Sequence, residues 1–185
     1  DKQDNPQLAL VSDLRAALIS GDQLELHYQT QHHPGTGELV GMEALLRWRH
    51  PREGMVSPGD FIPLAERHGL MSELGSWVIE KACAQQAHWQ HSGMPKTIVW
   101  INISALQLFQ GDLETQLTTC VKRYQLKPTQ IGLSISQKEY YNNFEKIIFP
   151  IFGQKNVNFG GVCNKFLVRE MQIPRNSASA LKSDV

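Results

Sequence analysis

The chain has 185 residues, enough for one domain that buries roughly 70% of the surface its unfolded form exposes. Its 18 lysines and arginines balance 18 aspartates and glutamates, so long-range attraction to nucleic acid or to an anionic membrane is not expected. The three separated cysteines favour a reducing cytoplasm over a disulfide framework or a zinc site. No apolar run reaches the ~20 residues of a membrane span, and the first residues do not form a signal peptide.

The first quarter of the chain predicts a helix followed by two strands. Pro6 suits a first helical turn, and apolar residues recur at helical spacing from there to Gly21. Alternating apolar and polar residues predict a strand over residues 24–31. The turn at 34–37 then leads into a second strand over 39–48.

The middle of the chain alternates between helical and strand patterns. Residues 61–89 are helical in character, and Gly93 terminates that pattern. The β-branched run 98–104 predicts a buried strand, and Asp112 is suited to cap a further helix. Residues 131–136 alternate as another strand. Repeated strand–helix units favour a parallel sheet or a (β/α) barrel, with functional groups at the carboxyl ends of the strands.

The pattern weakens after Gln137. Residues 140–152 predict a helix that Pro150 would interrupt, and residues 157–159 predict a short strand. The tail over 175–185 has little apolar pattern, so an ordered structure is not expected there.

Two strands carry side chains suited to bind an anion and a cation. Period two places Glu43 and Arg47 on one face of their strand, where a carboxylate and a guanidinium could hold a cation and a phosphate. Asn102 and Ser104 share a face of the next strand, and an amide oxygen is a ligand for hard cations. The alternative is structural, because such a Glu–Arg pair often forms an ion pair and a buried asparagine often bonds to the backbone.

Two other polar groups have simpler explanations. His32 and His33 lack a partner at a metal-ligand spacing, which favours a solvated turn. Arg47, Arg49 and Arg52 could suggest a nucleic-acid surface. Neighbouring acids and the zero net charge argue against DNA binding.

Four short segments carry a longer pattern: LHYQ at residues 26–29, GMEALLRWRHP at 41–51, FIPLAE at 61–66 and NIS at 102–104. In order and spacing they resemble successive motifs of the EAL-domain family of bacterial cyclic di-GMP phosphodiesterases. The resemblance extends over about residues 8–137. It divides the chain into the N-terminal portion of an EAL domain, residues 1–137, and a divergent remainder, residues 138–185.

The resemblance implies an α/β fold, a TIM-type (β/α) barrel whose first strand is antiparallel and which here lacks its last strands. It implies Mg²⁺ or Mn²⁺ as cofactor and cyclic di-GMP as ligand. Glu43 and Asn102 would be metal ligands, Arg47 would contact a phosphate, and Gln29 would contact the dinucleotide. A second EAL domain or a GGDEF domain is the implied protein partner. A barrel without its last strands is expected to have open edges and uncovered apolar surface.

The sequence departs from the family pattern at its acids. Ser134 stands where the family has a metal-binding glutamate, and residues 157–163 carry no acid where the family has two aspartates. Lys182 falls at the position of a catalytic-site lysine, on a short match. These departures predict an EAL-type signalling domain that is catalytically impaired or inactive as a phosphodiesterase and acts as a binding or partner module. The alternatives are an active metal-dependent phosphodiesterase whose missing acids come from elsewhere, and a gene remnant without a ligand.

Overall fold

The computed structural model describes residues 6–95, 97–104, 107 and 112–135, and the backbone of 166–168. In chain order, the described elements are α1 (Pro6–Ser20), β1 (Leu24–His32), β2 (Leu39–His50), β3 (Gly54–Val56), α2 (Pro58–Arg67), α3 (Met71–His91), β4 (Ile98–Asn102), α4 (Leu113–Arg123), β5 (Ile131–Ile135) and β6 (Phe166–Val168). A short 3-10 turn, Pro128–Gln130, leads into β5.

The described strands form one mixed sheet. Its order is β1-β2-β4-β5-β6, with β3 paired to β2 as a short hairpin. The first pair, β1 and β2, is antiparallel, whereas β2-β4, β4-β5 and β5-β6 are parallel. Within the described residues the sheet is open, because β1 and β6 lie at its two edges. The predicted partial barrel with an antiparallel first strand is confirmed.

Helices pack on the outer face of the sheet. Alternate residues of β4 and β5, among them Val99, Ile101 and Leu133, join the apolar faces of α3 and α4 in one core. Tyr28 of β1 lies on this side and meets Trp89 of α3 edge to face, with ring centroids 4.7 Å apart. A second core under α1 and α2 surrounds the fully buried side chains of Trp48 and Phe61 and other apolar residues of these elements. The outer face therefore supplies most of the apolar burial that stabilises the fold.

The structure refines two of the predicted helices. The helical segment 61–89 is divided between α2 and α3 by Gly69, whose φ of +70° is a left-handed conformation that favours glycine. Asp112 stands at the start of α4, as predicted, but its side chain caps no backbone N–H. Its carboxylate instead accepts a hydrogen bond from the side chain of Gln116 at 3.4 Å. The predicted helix over 140–152 and the predicted strand over 157–159 lie outside the described residues.

Candidate ligand site at the carboxyl ends of the strands

Glu43 and Asn102 meet across the neighbouring strands β2 and β4. The amide nitrogen of Asn102 donates a hydrogen bond to Oε1 of Glu43 over 2.9 Å. Glu43 is 2% exposed, whereas the Asn102 side chain at the end of β4 is exposed. A buried carboxylate is thereby joined to an amide that ligands can reach. The two residues that the sequence suggested as metal ligands lie together.

The strand beyond Asn102 contributes no acid. Ser134 of β5 pairs in register with Asn102, and its side chain is 4% exposed. Glu43 lies one side-chain level before this Asn102–Ser134 pair on the same face, because it pairs in register with Trp100. Together the three side chains offer a carboxylate, an amide and a hydroxyl, with one formal negative charge. Among the described residues, histidine, cysteine, aspartate and glutamate nowhere form a group of three that could hold a metal ion.

This donor set does not fit a two-metal centre. Two divalent cations about 3.5 to 4 Å apart repel each other strongly and need several carboxylates around them. Glu43 supplies one carboxylate, and the serine hydroxyl at position 134 does not neutralise charge. The described part of the chain therefore lacks the ligands for the metal-activated hydrolysis that the resemblance implied.

Ser104 does not join this site. Its hydroxyl oxygen accepts a hydrogen bond from the backbone N–H of Gln107 at 3.3 Å, and its own N–H donates to the Gln107 side chain at 2.8 Å. This reciprocal pair is a capping box. Ser104 lies beyond the end of β4, and its hydroxyl is engaged in this cap, so the expected strand face shared with Asn102 does not extend to it. The pattern S-x-x-Q in the sequence was the available signal for this cap.

Arg47 and Asn102 border a cavity of about 200 Å³ between the strand ends and α3. Nη1 of Arg47 donates to the carbonyl oxygen of Leu46 at 2.9 Å, which fixes part of the guanidinium. Sequence reasoning missed Gln107, which also lines this cavity. Its side chain lies so close over Gly75 of α3 that an added Cβ would collide with its amide nitrogen. Arg47 is the one charged residue among those that line the cavity.

Gln29 lies on the same face as Glu43. The antiparallel register of β1 and β2 places them directly opposite each other, and the Gln29 side chain is exposed. The structure thus brings Gln29, Glu43, Arg47 and Asn102 to one face of the sheet. Lys182 lies outside the described residues.

This inner face of the sheet is largely polar. The register places on it the following described residues: Glu25, His27, Gln29, Gln31, Gly41, Glu43, Leu45, Arg47, Arg49, Met55, Ile98, Trp100, Asn102, Gly132 and Ser134. Arg49 pairs with Glu25 at 3.0 Å. Of the large apolar side chains that are exposed in the described residues, Met55 pairs in register with Arg49 on this face, whereas Leu8, Ile19 and Val40 lie elsewhere. The sheet is open, as expected, and the uncovered apolar surface stays a prediction.

His33 has the structural role that the turn pattern indicated. Its Nδ1 accepts hydrogen bonds from the backbone N–H groups of Gly35 and Thr36, both at 3.2 Å. The imidazole therefore organises the β1–β2 turn.

Within the described part of the chain, no helix combines the length and apolar character that crossing a bilayer requires.

Comparison with known proteins agrees with the fold and the motifs. The sequence profile of the EAL domain matches residues 11–154. This chain belongs to the EAL domain family.

Similar proteins of known name include two from Pseudomonas aeruginosa. The chain is 40% identical over 131 residues to the bifunctional diguanylate cyclase/cyclic di-GMP phosphodiesterase MucR, a match that covers 71% of this chain and 19% of MucR. It is 32% identical over 142 residues to the cyclic di-GMP phosphodiesterase NbdA, covering 77% of this chain and 18% of NbdA. The chain thus spans less than a fifth of the length of these relatives.

A solved structure has the same architecture. The PaMucR phosphodiesterase in complex with c-di-GMP superimposes with a TM-score of 0.75 and 31% sequence identity, over 86% of this chain and 62% of that chain. The EAL domain of Xanthomonas citri FimX, in complex with c-diGMP, has a TM-score of 0.67 at 24% identity, over 77% of this chain and 55% of that chain. At that identity the FimX comparison supports the fold alone.

Proposed function

We propose that this EAL domain binds cyclic di-GMP without hydrolysing it and acts as a receptor or partner-binding module. The observation that carries the proposal is Ser134, which occupies the place beside Asn102 where the family resemblance requires a carboxylate. The groups suited to recognise the ligand remain, whereas the acids needed to hold two metal ions are missing from the described residues. In this proposal the domain therefore keeps the ability to bind cyclic di-GMP but not the ability to hydrolyse it.

Each retained side chain has a role in this proposal. Arg47 contacts a phosphate, because a guanidinium forms charge-assisted hydrogen bonds with phosphate oxygens. Gln29 contacts the dinucleotide from β1, and the exposed amide of Asn102 contacts it from β4. Glu43 orients that amide through the 2.9 Å hydrogen bond. The resemblance further suggests a cytoplasmic setting and a second EAL domain or a GGDEF domain as partner.

The experiment measures binding and turnover on the same protein. Purified chain is titrated with cyclic di-GMP by calorimetry, and is then incubated with the ligand and Mg²⁺ or Mn²⁺ before chromatography for the linear dinucleotide. We expect saturable binding, no product, and loss of binding in Arg47→Ala. Lys122→Ala removes an exposed positive charge on α4, away from the site, and serves as the matched control.

Two results would reject the proposal. Linear product that disappears in Glu43→Ala would identify an active phosphodiesterase whose missing acids come from elsewhere. Absence of cyclic di-GMP binding by the folded chain would leave no role as a receptor for this dinucleotide.

A further inference from the structure

Trp100 of β4 is the one tryptophan, tyrosine or phenylalanine on the described inner face of the sheet. It is 6% exposed. The parallel register pairs it with Glu43 of β2 on one side and with Gly132 of β5 on the other. The three positions therefore form one row across the sheet, with the indole next to the carboxylate of the candidate site.

Two glycines make room for the Trp100 indole. A Cβ on Gly132 would collide with the six-membered ring, whose Cδ2 would lie only 2.8 Å away. A Cβ on Gly41 would lie 3.0 Å from the indole nitrogen and 3.1 Å from the carbonyl oxygen of Ile98. The ring thus lies across the backbones of the two flanking strands. Close approach of this kind is a reason for glycine within a strand.

The indole fills the layer next to the Glu43–Asn102 pair, on the side away from the strand ends. Glu43 is almost completely buried, whereas Asn102 is exposed at the end of its strand. An ionised carboxylate gains much free energy from contact with water, so it turns toward water wherever a path opens. Removal of the indole would open such a path beside Glu43.

We propose that Trp100 is the positioning residue of the ligand site that the proposed function assigns to Glu43. Held over Gly41 and Gly132, its indole is a floor that excludes water from the carboxylate and keeps the carboxylate directed at Asn102. The amide that meets the ligand is therefore oriented by Glu43, which Trp100 adjoins in the strand pairing and shields from water. This inference rests on the proposed function only for the identity of the ligand.

Carboxyl labelling tests the floor without any ligand. The folded chain is treated with a water-soluble carbodiimide and glycine ethyl ester, and mass spectrometry measures the modification of each acidic residue. In the wild type we expect Glu43 to stay protected while the exposed Glu114 is labelled. In Trp100→Ala, labelling of Glu43 should rise to the level of Glu114. Trp100→Phe retains a ring and should restore most of the protection.

A matched control separates this role from general loosening of the fold. Trp89→Ala removes an equal indole from α3, on the outer side of the sheet, and should leave Glu43 protected. Gly132→Ala keeps the indole but displaces it, and should expose Glu43 even if Trp100→Ala does not fold. Protection of Glu43 in folded Trp100→Ala or Gly132→Ala, or equal labelling in Trp89→Ala, would overturn the inference.

Ligand binding by the same variants distinguishes the inference from the proposed function. We expect Trp100→Ala to bind cyclic di-GMP about tenfold more weakly, the effect of about 1.4 kcal/mol. If the wild type binds no cyclic di-GMP while the labelling follows the expected pattern, the proposed function is rejected, but the positioning of Glu43 by Trp100 is supported. If the variants leave the labelling of Glu43 unchanged, the positioning role of Trp100 is rejected, whether or not the wild type binds cyclic di-GMP.

Discussion

Ser134 lies directly beside Asn102 in the parallel pairing of β4 and β5, and its side chain is 4% exposed. Ser134→Glu would place a second carboxylate beside Asn102, on the face of the sheet that carries Glu43. Without a cation, we expect the variant to lose about 1 to 3 kcal/mol of unfolding free energy, because a carboxylate is buried on a face that already holds the buried Glu43. With Mn²⁺, we expect tighter cation binding and a rise in melting temperature, measured by calorimetry and thermal unfolding.

Ser12→Glu is the control for the expected gain in Mn²⁺ binding and melting temperature. It adds the same carboxylate on the exposed face of α1 and should change neither the stability nor Mn²⁺ binding appreciably. Equal Mn²⁺ binding by the wild type and Ser134→Glu would show that position 134 does not face the cation site.

His50 links the β2–β3 hairpin to α1. Its Nδ1 accepts hydrogen bonds from the backbone N–H groups of Arg52 and Glu53, and its Nε2 lies 3.1 Å from the Asp13 carboxylate. His50→Phe keeps a ring against Trp48 but leaves these groups without their partner. We expect urea unfolding to show a loss of about 1 to 3 kcal/mol. His88→Phe, at an exposed position of α3, should stay within about 0.5 kcal/mol, and a similar loss in both variants would contradict this role.

Glu80 joins α3 to α4 in a pH-dependent way. Hydrogen bonds from Cys120, Tyr124 and Arg123 lower the pKa of Glu80 in the folded chain. A lowered folded pKa gives stability that is present above the unfolded pKa and is lost as the pH falls through the folded pKa. The stability difference between the wild type and Glu80→Gln should therefore narrow from pH 7 to pH 3. A constant difference between the wild type and Glu80→Gln over this pH range would refute the linkage.

The two described cysteines report whether the core is packed. Burial raises the pKa of the Cys83 thiol to about 12, and burial together with Glu80 raises that of Cys120 to about 12. In a Cys163→Ser background, we expect a thiol reagent at pH 8 to react at least about a hundredfold faster after unfolding in guanidinium. Rapid reaction of both thiols in buffer would instead indicate a molten chain, as expected of a gene remnant.

The local patterns of the sequence were sufficient to place most strands. The predicted strand over 24–31 is observed as Leu24–His32, because alternation of apolar and polar residues follows directly from the two faces of a strand. The same alternation correctly placed Glu43 and Arg47 on one face. The hairpin strand Gly54–Val56 was missed, since three residues are too few to carry a pattern.

Features that depend on contacts between distant segments were not predictable. The layer formed by Trp100, Gly41 and Gly132 depends on how three strands align, and no local pattern encodes that register. The cap between Ser104 and Gln107 was overlooked for a different reason. Ser104 continued a strand-like alternation, and hydrogen bonding to the following turn took precedence over that alternation.

The turn between β1 and β2 determines which residues of β1 can meet a ligand. The two faces of a strand alternate with every residue, so a shift of one position in the pairing with β2 would exchange them. Tyr28 would then stand opposite Glu43, and Gln29 would point into the packing against α3. The length of this loop is therefore as decisive for recognition as the identity of Gln29. An insertion of one residue there could abolish binding while every proposed contact residue stayed unchanged in the sequence.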